Sequence, residues 1–155
     1  MKQIQGKSFN IVEDVVGRIT FGKKMFHRSN EICVSKDASR PAFGYAATIT
    51  TKDTISDNGK PYCVVDNVDE FHEGDVVVVN QQGEIIFVYE VKSNHNAIMA
   101  TERCNHRCIM CPQPPILQEK DKTPFNLKLI SLFNKSTQEI GITGGEPTLI
   151  GNNLF

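Results

Sequence analysis

Three cysteines on one short loop constrain this chain more than any other feature of its sequence. Cys104, Cys108 and Cys111 follow one another with the spacing C-x3-C-x2-C. A [4Fe–4S] cube has four irons and normally takes four cysteine thiolates, so three thiolates leave one iron open to another ligand. An open coordination position allows a bound metal to react with a substrate as well as brace a fold. The spacing therefore indicates a metal centre with one reactive position.

A glycine-rich turn forms a second motif later in the chain. Residues 139–143 have the composition of a strand, and Gly144-Gly145-Glu146-Pro147 follows them directly. The two glycines lack a Cβ atom and allow close backbone approach, and the proline fixes the turn. Alone, Gly144-Gly145 would be an ordinary turn and Glu146 an ordinary exposed acid. It becomes informative because it follows the cysteine loop.

Together the two motifs resemble those of the radical S-adenosylmethionine (SAM) enzymes. The resemblance implies that Cys104, Cys108 and Cys111 bind three irons of a [4Fe–4S] cluster, while SAM chelates the fourth. It implies that the reduced cluster cleaves SAM to a 5′-deoxyadenosyl radical, which removes a hydrogen atom from the substrate. The hard chemistry then belongs to the cofactors, and no residue of the chain is assigned a catalytic role of its own.

The same resemblance implies a set of SAM contacts. In the family the glycine-rich turn meets the methionyl ammonium of SAM, for which Glu146 is the natural counter-charge. The family has an aromatic residue near adenine just before the third cysteine, and Met110 takes that position here. Methionine is apolar and adaptable, so packing against adenine is retained. The implied SAM-binding residues are Met110, Gly144, Gly145, Glu146 and Pro147.

A closer resemblance is carried by residues 96–115, which include the cysteine loop and the prolines after it. Behind a small β-rich N-terminal region, this segment resembles the His-Xaa-Ser system radical SAM maturases, HxsC. That family implies post-translational modification of a companion peptide that bears His-Xaa-Ser repeats. We therefore expect a peptide substrate, and a companion radical SAM protein is a further candidate partner.

Composition excludes several other classes of protein. The chain has 155 residues with 17 basic and 18 acidic side chains, a net charge of -1, so nothing favours nucleic acid or an anionic membrane. No apolar run approaches the roughly 20 residues of a membrane span, and residues 1–7 contain no apolar signal core. We expect a cytoplasmic protein, in which five cysteines favour metal binding over disulfides.

Residue patterns predict an α/β fold in two parts. Residues 1–92 are predicted to form a small β-rich domain, since Val, Ile, Thr and aromatic residues recur between turn signals such as Asp57-Asn58-Gly59. A hairpin across Gln81-Gln82-Gly83 is its clearest element. The strands predicted for this part are 10–20, 31–35, 44–51, 62–66, 75–80 and 84–92.

Residues 93–155 are predicted to form the first right-handed βαβ unit of a truncated radical SAM barrel, a partial TIM barrel. A buried strand at 97–101 precedes the cysteine loop, whose prolines at 112, 114 and 115 prevent regular structure. A helix then begins with Thr123 as N-cap and Pro124 at N1, ends near Asn134, and leads to a strand at 138–143. Its predicted core face comprises Phe125, Leu129, Leu132 and Phe133, widened by Leu127 and Ile130.

Only two barrel strands precede the last residue, Phe155. A radical SAM barrel needs further βα units to complete the SAM site and the substrate pocket. We therefore expect a fragment, by truncation or as half of a split enzyme, that is inactive alone.

A non-catalytic module is the alternative function. The three cysteines with His95 or His106 would make a Cys3His zinc site, which suits thiolate ligands. In that case the β-rich domain binds a partner and the loop holds zinc or a cluster structurally. Cys33 and Cys63 lie in strand-like runs and are expected to be small buried hydrophobes. His27, His72 and His95 are expected either at the surface or as polar residues with satisfied hydrogen bonds.

Overall fold

A computed structural model describes residues 2–22, 28–38, 41–52, 58–111, 116 and 118–154. Within these residues the chain forms ten strands, one α-helix and a final 3-10 segment. No helix among them is long and apolar enough to cross a membrane. The strands are β1 Gln3–Gln5, β2 Lys7–Phe9, β3 Val15–Phe21, β4 Arg28–Ser35, β5 Tyr45–Thr50, β6 Tyr62–Val64, β7 Val76–Val79, β8 Glu84–Tyr89, β9 Ala97–Thr101 and β10 Gly141–Gly144. Helix α1 spans Thr123–Leu132, and the 3-10 segment spans Pro147–Leu154.

The first eight strands form one sheet in the order β1-β8-β7-β3-β4-β5-β6-β2. Strands β1 and β2 are two halves of one segment, separated only by Gly6, and they pair antiparallel with β8 and β6. The sheet therefore closes on itself, which removes its free edges. At the junction the Gly6 amide donates to the Gly83 carbonyl at 2.8 Å, and a Cβ on Gly6 would lie 2.5 Å from the Val64 carbonyl oxygen.

The closed sheet encloses the larger of two hydrophobic cores. Alternate residues of its strands point inward, as the two-residue period of a strand requires. Val77 and Val79 of β7 belong to this inner core, whereas Val76 and Val78 belong to the second core outside the sheet. All four valines are buried for that reason. Inner members with less than 2% exposure include Ile19, Ile32, Val34, Ile49 and Ile85.

Helix α1 covers the outer face of β3, β7 and β8. Leu129, Leu132 and Phe133 share the second core with Val16, Val76, Val78 and Tyr89. The rings of Tyr89 and Phe133 stack with centroids 4.6 Å apart, an arrangement that adds to the hydrophobic contact. The contact holds the segment after residue 96 against the closed sheet.

Strands β9 and β10 pair in parallel, with α1 between them in the chain. The predicted strand–helix–strand order is therefore present. Gly141 lies opposite Ala97, Ile142 opposite Ile98 and Thr143 opposite Met99. Since the strands are parallel, their carboxyl ends meet at the same edge, where the cysteine loop leaves β9 and the glycine-rich turn leaves β10.

Several sequence-based predictions for this half are wrong in detail. The N-cap of α1 is Lys122, not Thr123. The Thr123 amide instead donates a hydrogen bond to the Asp121 carboxylate at 2.9 Å. Phe125 is 41% exposed, and Leu127 and Ile130 are more exposed still, because the closed sheet covers only a narrow face of the helix. Strand β9 is buried only at Ala100 and Thr101, and β10 is exposed throughout.

Other differences concern strand limits and coverage. Sequence analysis missed β1 and β2, whose short, largely polar sequences lack a strand pattern. It placed the start of β3 at residue 10, but the strand begins at Val15. The hairpin is present as β7 and β8. Residue 57 of the predicted turn, His27, the prolines 112, 114 and 115, and Phe155 lie outside the described residues.

Arg18 of the closed sheet is hydrogen-bonded to the end of α1, and its replacement should weaken the packing of the helix on the sheet. Its guanidinium donates to the carbonyls of Leu132 and Phe133, at 2.7 Å from Nε to the former. These carbonyls end the helix, where a cation is favourable. We expect Arg18→Met to lower the free energy of unfolding by about 1.5–3 kcal/mol in chemical denaturation. Arg18→Lys should lose less, and unchanged stability in Arg18→Met would contradict the assignment.

Candidate functional site

The cysteine loop leaves β9 and is closed at its base by backbone contacts. The Cys104 amide donates to the Ile116 carbonyl at 3.1 Å, and Arg103 and Ile116 form a parallel bridge. Inside the loop, the Cys111 amide donates to the Cys108 carbonyl at 3.1 Å, so these two cysteines share one tight turn. The His106 amide points at the Cys104 sulfur at 3.4 Å.

The three loop cysteines do not converge in this conformation. Among the residues described, no three His, Cys, Asp or Glu side chains are placed to hold a metal ion. The donor set nevertheless fits a thiolate-bound cluster. Cys104 is partly buried, Cys108 and Cys111 are exposed, and none of the three is in a disulfide, so all three are within reach of iron supplied from solvent.

The other two cysteines have a different environment. Cys33 and Cys63 are 2% and 0% exposed in the closed sheet, as expected for small buried hydrophobes. Burial raises the pKa of the Cys63 thiol to about 12. Because thiolates are the form that binds metals, Cys63 is unsuited to ligation at neutral pH.

The glycine-rich turn packs directly on the start of the cysteine loop. The Gly145 amide donates to the Thr101 carbonyl at 2.9 Å, and the Glu146 amide donates to the Arg103 carbonyl at 2.8 Å. Two backbone hydrogen bonds thus join the motifs. On the far side, the Arg103 guanidinium donates to the Leu149 carbonyl at 3.4 Å and so holds the 3-10 segment that Pro147 begins.

The two glycines of the turn are required by this contact. A Cβ on Gly144 would lie 2.1 Å from the Thr101 carbonyl oxygen, and Gly144 has a φ of 145°, which disfavours other residues. A Cβ on Gly145 would lie 2.2 Å from the Arg103 carbonyl oxygen. The sequence suggested that the glycines make room for SAM. The close approach that the structure contains is to the chain's own backbone.

Glu146 carries a negative charge beside the loop. One carboxylate oxygen accepts from the Thr148 hydroxyl at 2.6 Å and from its amide at 3.1 Å. These bonds, with a smaller contribution from His106, lower the pKa of Glu146. The other oxygen lies 3.5 Å from His106 Nε2, so His106 contacts the turn.

Met110 lies on the outer part of the loop. It is 93% exposed, and its neighbour Ile109 is fully exposed. Met110 therefore buries almost none of its surface against the described residues.

Sequence analysis missed Glu119, which ties the returning end of the loop to its start. The Glu119 carboxylate accepts a hydrogen bond from the Thr101 hydroxyl and from the Glu102 amide, the latter at 2.9 Å to each oxygen. An acidic residue shortly before a helix is a common helix-start signal, so the sequence alone does not indicate a contact with β9. Only the fold places it against β9.

A comparison with curated proteins finds a partial match to the chain. GTP 3',8-cyclase from Campylobacter jejuni subsp. doylei is 35% identical to it over 71 residues, which cover 42% of this chain and 22% of that protein. The chain thus spans about a fifth of the length of this curated relative. GTP 3',8-cyclase is a radical SAM family member, so the match supports the superfamily, but it does not single out the His-Xaa-Ser maturases. No protein-family model and no solved structure matches the chain.

Proposed function

We propose that residues 93–155 form the cluster- and SAM-binding part of a radical SAM enzyme that modifies a peptide. In this proposal β9, α1 and β10 are the first strand–helix–strand unit of its barrel. One observation carries it. The cysteine loop and the glycine-rich turn leave adjacent parallel strands at the same edge and are joined by two backbone hydrogen bonds. In α/β barrels that edge is the catalytic face.

The chain's own residues would hold the reactants. Cys104, Cys108 and Cys111 would bind a [4Fe–4S] cluster, and two of them already share a tight turn. The cluster, when bound, supplies an electron to SAM. Glu146, kept ionised by Thr148, would supply the negative charge opposite the methionyl ammonium of SAM.

A peptide substrate is supported by the resemblance of residues 96–115 to the His-Xaa-Ser maturases. The β-rich part is a candidate for docking the peptide or a companion radical SAM protein. The curated relative is named for a reaction of GTP, and that name describes the relative alone.

Anaerobic reconstitution of the chain tests the proposal. We expect about four irons and four sulfides per chain and a brown protein, as a [4Fe–4S] cluster requires. Stoichiometric zinc without iron, in colourless protein purified without oxygen, would contradict the proposal and favour a zinc-binding module.

A further inference from the structure

Glu119 occupies an unusual position for a carboxylate, because it is held between the two ends of the cysteine loop. Its side chain is 10% exposed. Its carboxylate accepts a hydrogen bond from the Thr101 hydroxyl, and both of its oxygens accept from the Glu102 amide. Burial favours a higher pKa for Glu119, but the hydrogen bonds from Thr101 and from the amides of Glu102 and Arg103, with Lys122 nearby, lower it overall. The carboxylate is therefore charged and fully engaged at the base of the loop.

Thr101 links Glu119 to the glycine-rich turn by hydrogen bonds. It is fully buried, and its hydroxyl has a single proton, which is donated to Glu119. The hydroxyl oxygen is then left to accept the Arg103 amide at 3.1 Å. The Thr101 carbonyl accepts the Gly145 amide at 2.9 Å. The Arg103 carbonyl, oriented in this way, accepts a hydrogen bond from the Glu146 amide at 2.8 Å.

We propose that Glu119 is a positioning residue that fixes the cysteine loop and the glycine-rich turn relative to each other through Thr101. The proposal rests on the proposed function for what the two motifs hold. Glu119 touches neither motif's ligands. It acts by orienting Thr101 and the backbone of residues 102 and 103. The carbonyls of Thr101 and Arg103 accept the two hydrogen bonds from the glycine-rich turn.

The hydrogen bonds, and not the lysine charge, carry this role. Lys122 Nζ lies 3.0 Å from a Glu102 carboxylate oxygen and 3.9 Å from the nearer Glu119 oxygen. Its side chain is 32% exposed, and ion pairs open to solvent contribute little. Lys122→Met therefore removes the charge while keeping the acceptors of Glu119, and it serves as the matched control.

Trypsin cleavage of the metal-free chain tests the contact without any cofactor. Arg107 lies between the cluster cysteines and is exposed. We expect cleavage after Arg107 to be at least about ten-fold faster in Glu119→Ala than in the wild type. Glu119→Gln keeps one acceptor oxygen and should be intermediate, and Lys122→Met should resemble the wild type. Thermal unfolding of the closed sheet should be unchanged in all of them.

Iron release from the reconstituted chain tests the consequence. With a chelator in excess, Glu119→Ala should lose iron about ten- to a hundred-fold faster than the wild type, with Glu119→Gln again intermediate. Thr101→Val removes the hydroxyl and should match Glu119→Ala, and the double variant should add little to either. The change that SAM produces in the electron paramagnetic resonance signal of the reduced cluster should be lost in Glu119→Ala.

The outcomes separate the two proposals. If the wild-type chain takes up no iron, the proposed function fails, while the trypsin rates still decide the role of Glu119. If Glu119→Ala is cut after Arg107 at the wild-type rate, or releases iron at the wild-type rate, the positioning role is overturned. Equal effects of Lys122→Met and Glu119→Ala would also overturn it, because the charge pair would then be responsible.

Discussion

Any one of Cys104→Ala, Cys108→Ala and Cys111→Ala is expected to abolish iron loading of the chain. A cube held by three thiolates already lacks a fourth protein ligand, and two thiolates would leave half of its irons unheld. Iron and sulfide should fall from about four per chain to near zero after anaerobic reconstitution. The visible sulfide-to-iron absorbance should disappear with them.

Cys33→Ala and Cys63→Ala are the matched controls for this series. Both cysteines are buried in the closed sheet, and the pKa of the Cys63 thiol is raised to about 12 by burial. These variants should load iron as the wild type does, with a modest loss of stability from the lost packing. Iron loss in Cys63→Ala equal to that in Cys108→Ala would show that the loop is not the ligand set.

Gly145→Ala is expected to separate the glycine-rich turn from the cysteine loop. The new Cβ would lie 2.2 Å from the Arg103 carbonyl oxygen and 2.9 Å from the Cys104 Cβ, so the backbone must move. The move breaks the hydrogen bond from the Glu146 amide to Arg103. Forcing extra volume into such a contact costs about 1–3 kcal/mol, so SAM affinity should fall by roughly ten-fold or more while iron is retained.

Two further variants make that result specific. Gly141→Ala adds the same methyl group at the start of β10, before the turn and 3.3 Å from the Ala97 Cβ, and should leave SAM affinity nearly unchanged. Glu146→Gln keeps the size of the side chain and removes its charge. It should weaken SAM binding without loosening the loop, whereas Gly145→Ala should also speed trypsin cleavage after Arg107. SAM affinity is measured by isothermal titration calorimetry. If Gly145→Ala bound SAM as tightly as Gly141→Ala does, the role of the glycine-rich turn in SAM binding would be contradicted.

The local elements of the second half could largely be predicted from the sequence. The apolar run at 97–101, the proline-started helix and the strand before Gly144 each carry a local signal. All three are present, β9 with the predicted limits and the helix and β10 with shifted ones. The hairpin of β7 and β8 followed from Gln81-Gln82-Gly83 in the same way. Short-range backbone preferences determine such elements, and they are visible in a few consecutive residues.

Contacts between distant segments could not be predicted in this way. Nothing in residues 3–9 indicates that β1 and β2 close the sheet. The closure depends on Gly6 lying against the Val64 carbonyl, where a Cβ would not fit. The exposed side of α1 at Leu127 and Ile130 depends on how much of the helix the sheet covers. An apolar pattern shows which residues can be buried, and only the neighbours decide which are.

The sequence by itself determined the chemistry of the candidate site, since three thiols and a glycine-rich turn with an acid are local motifs. The tertiary structure decided how these motifs meet. Parallel pairing of β9 and β10 brings the Gly145 and Glu146 amides to the carbonyls of Thr101 and Arg103. It also decided that Glu119 closes the loop, because the hydrogen bond to Thr101 joins residues that have no common pattern in the chain.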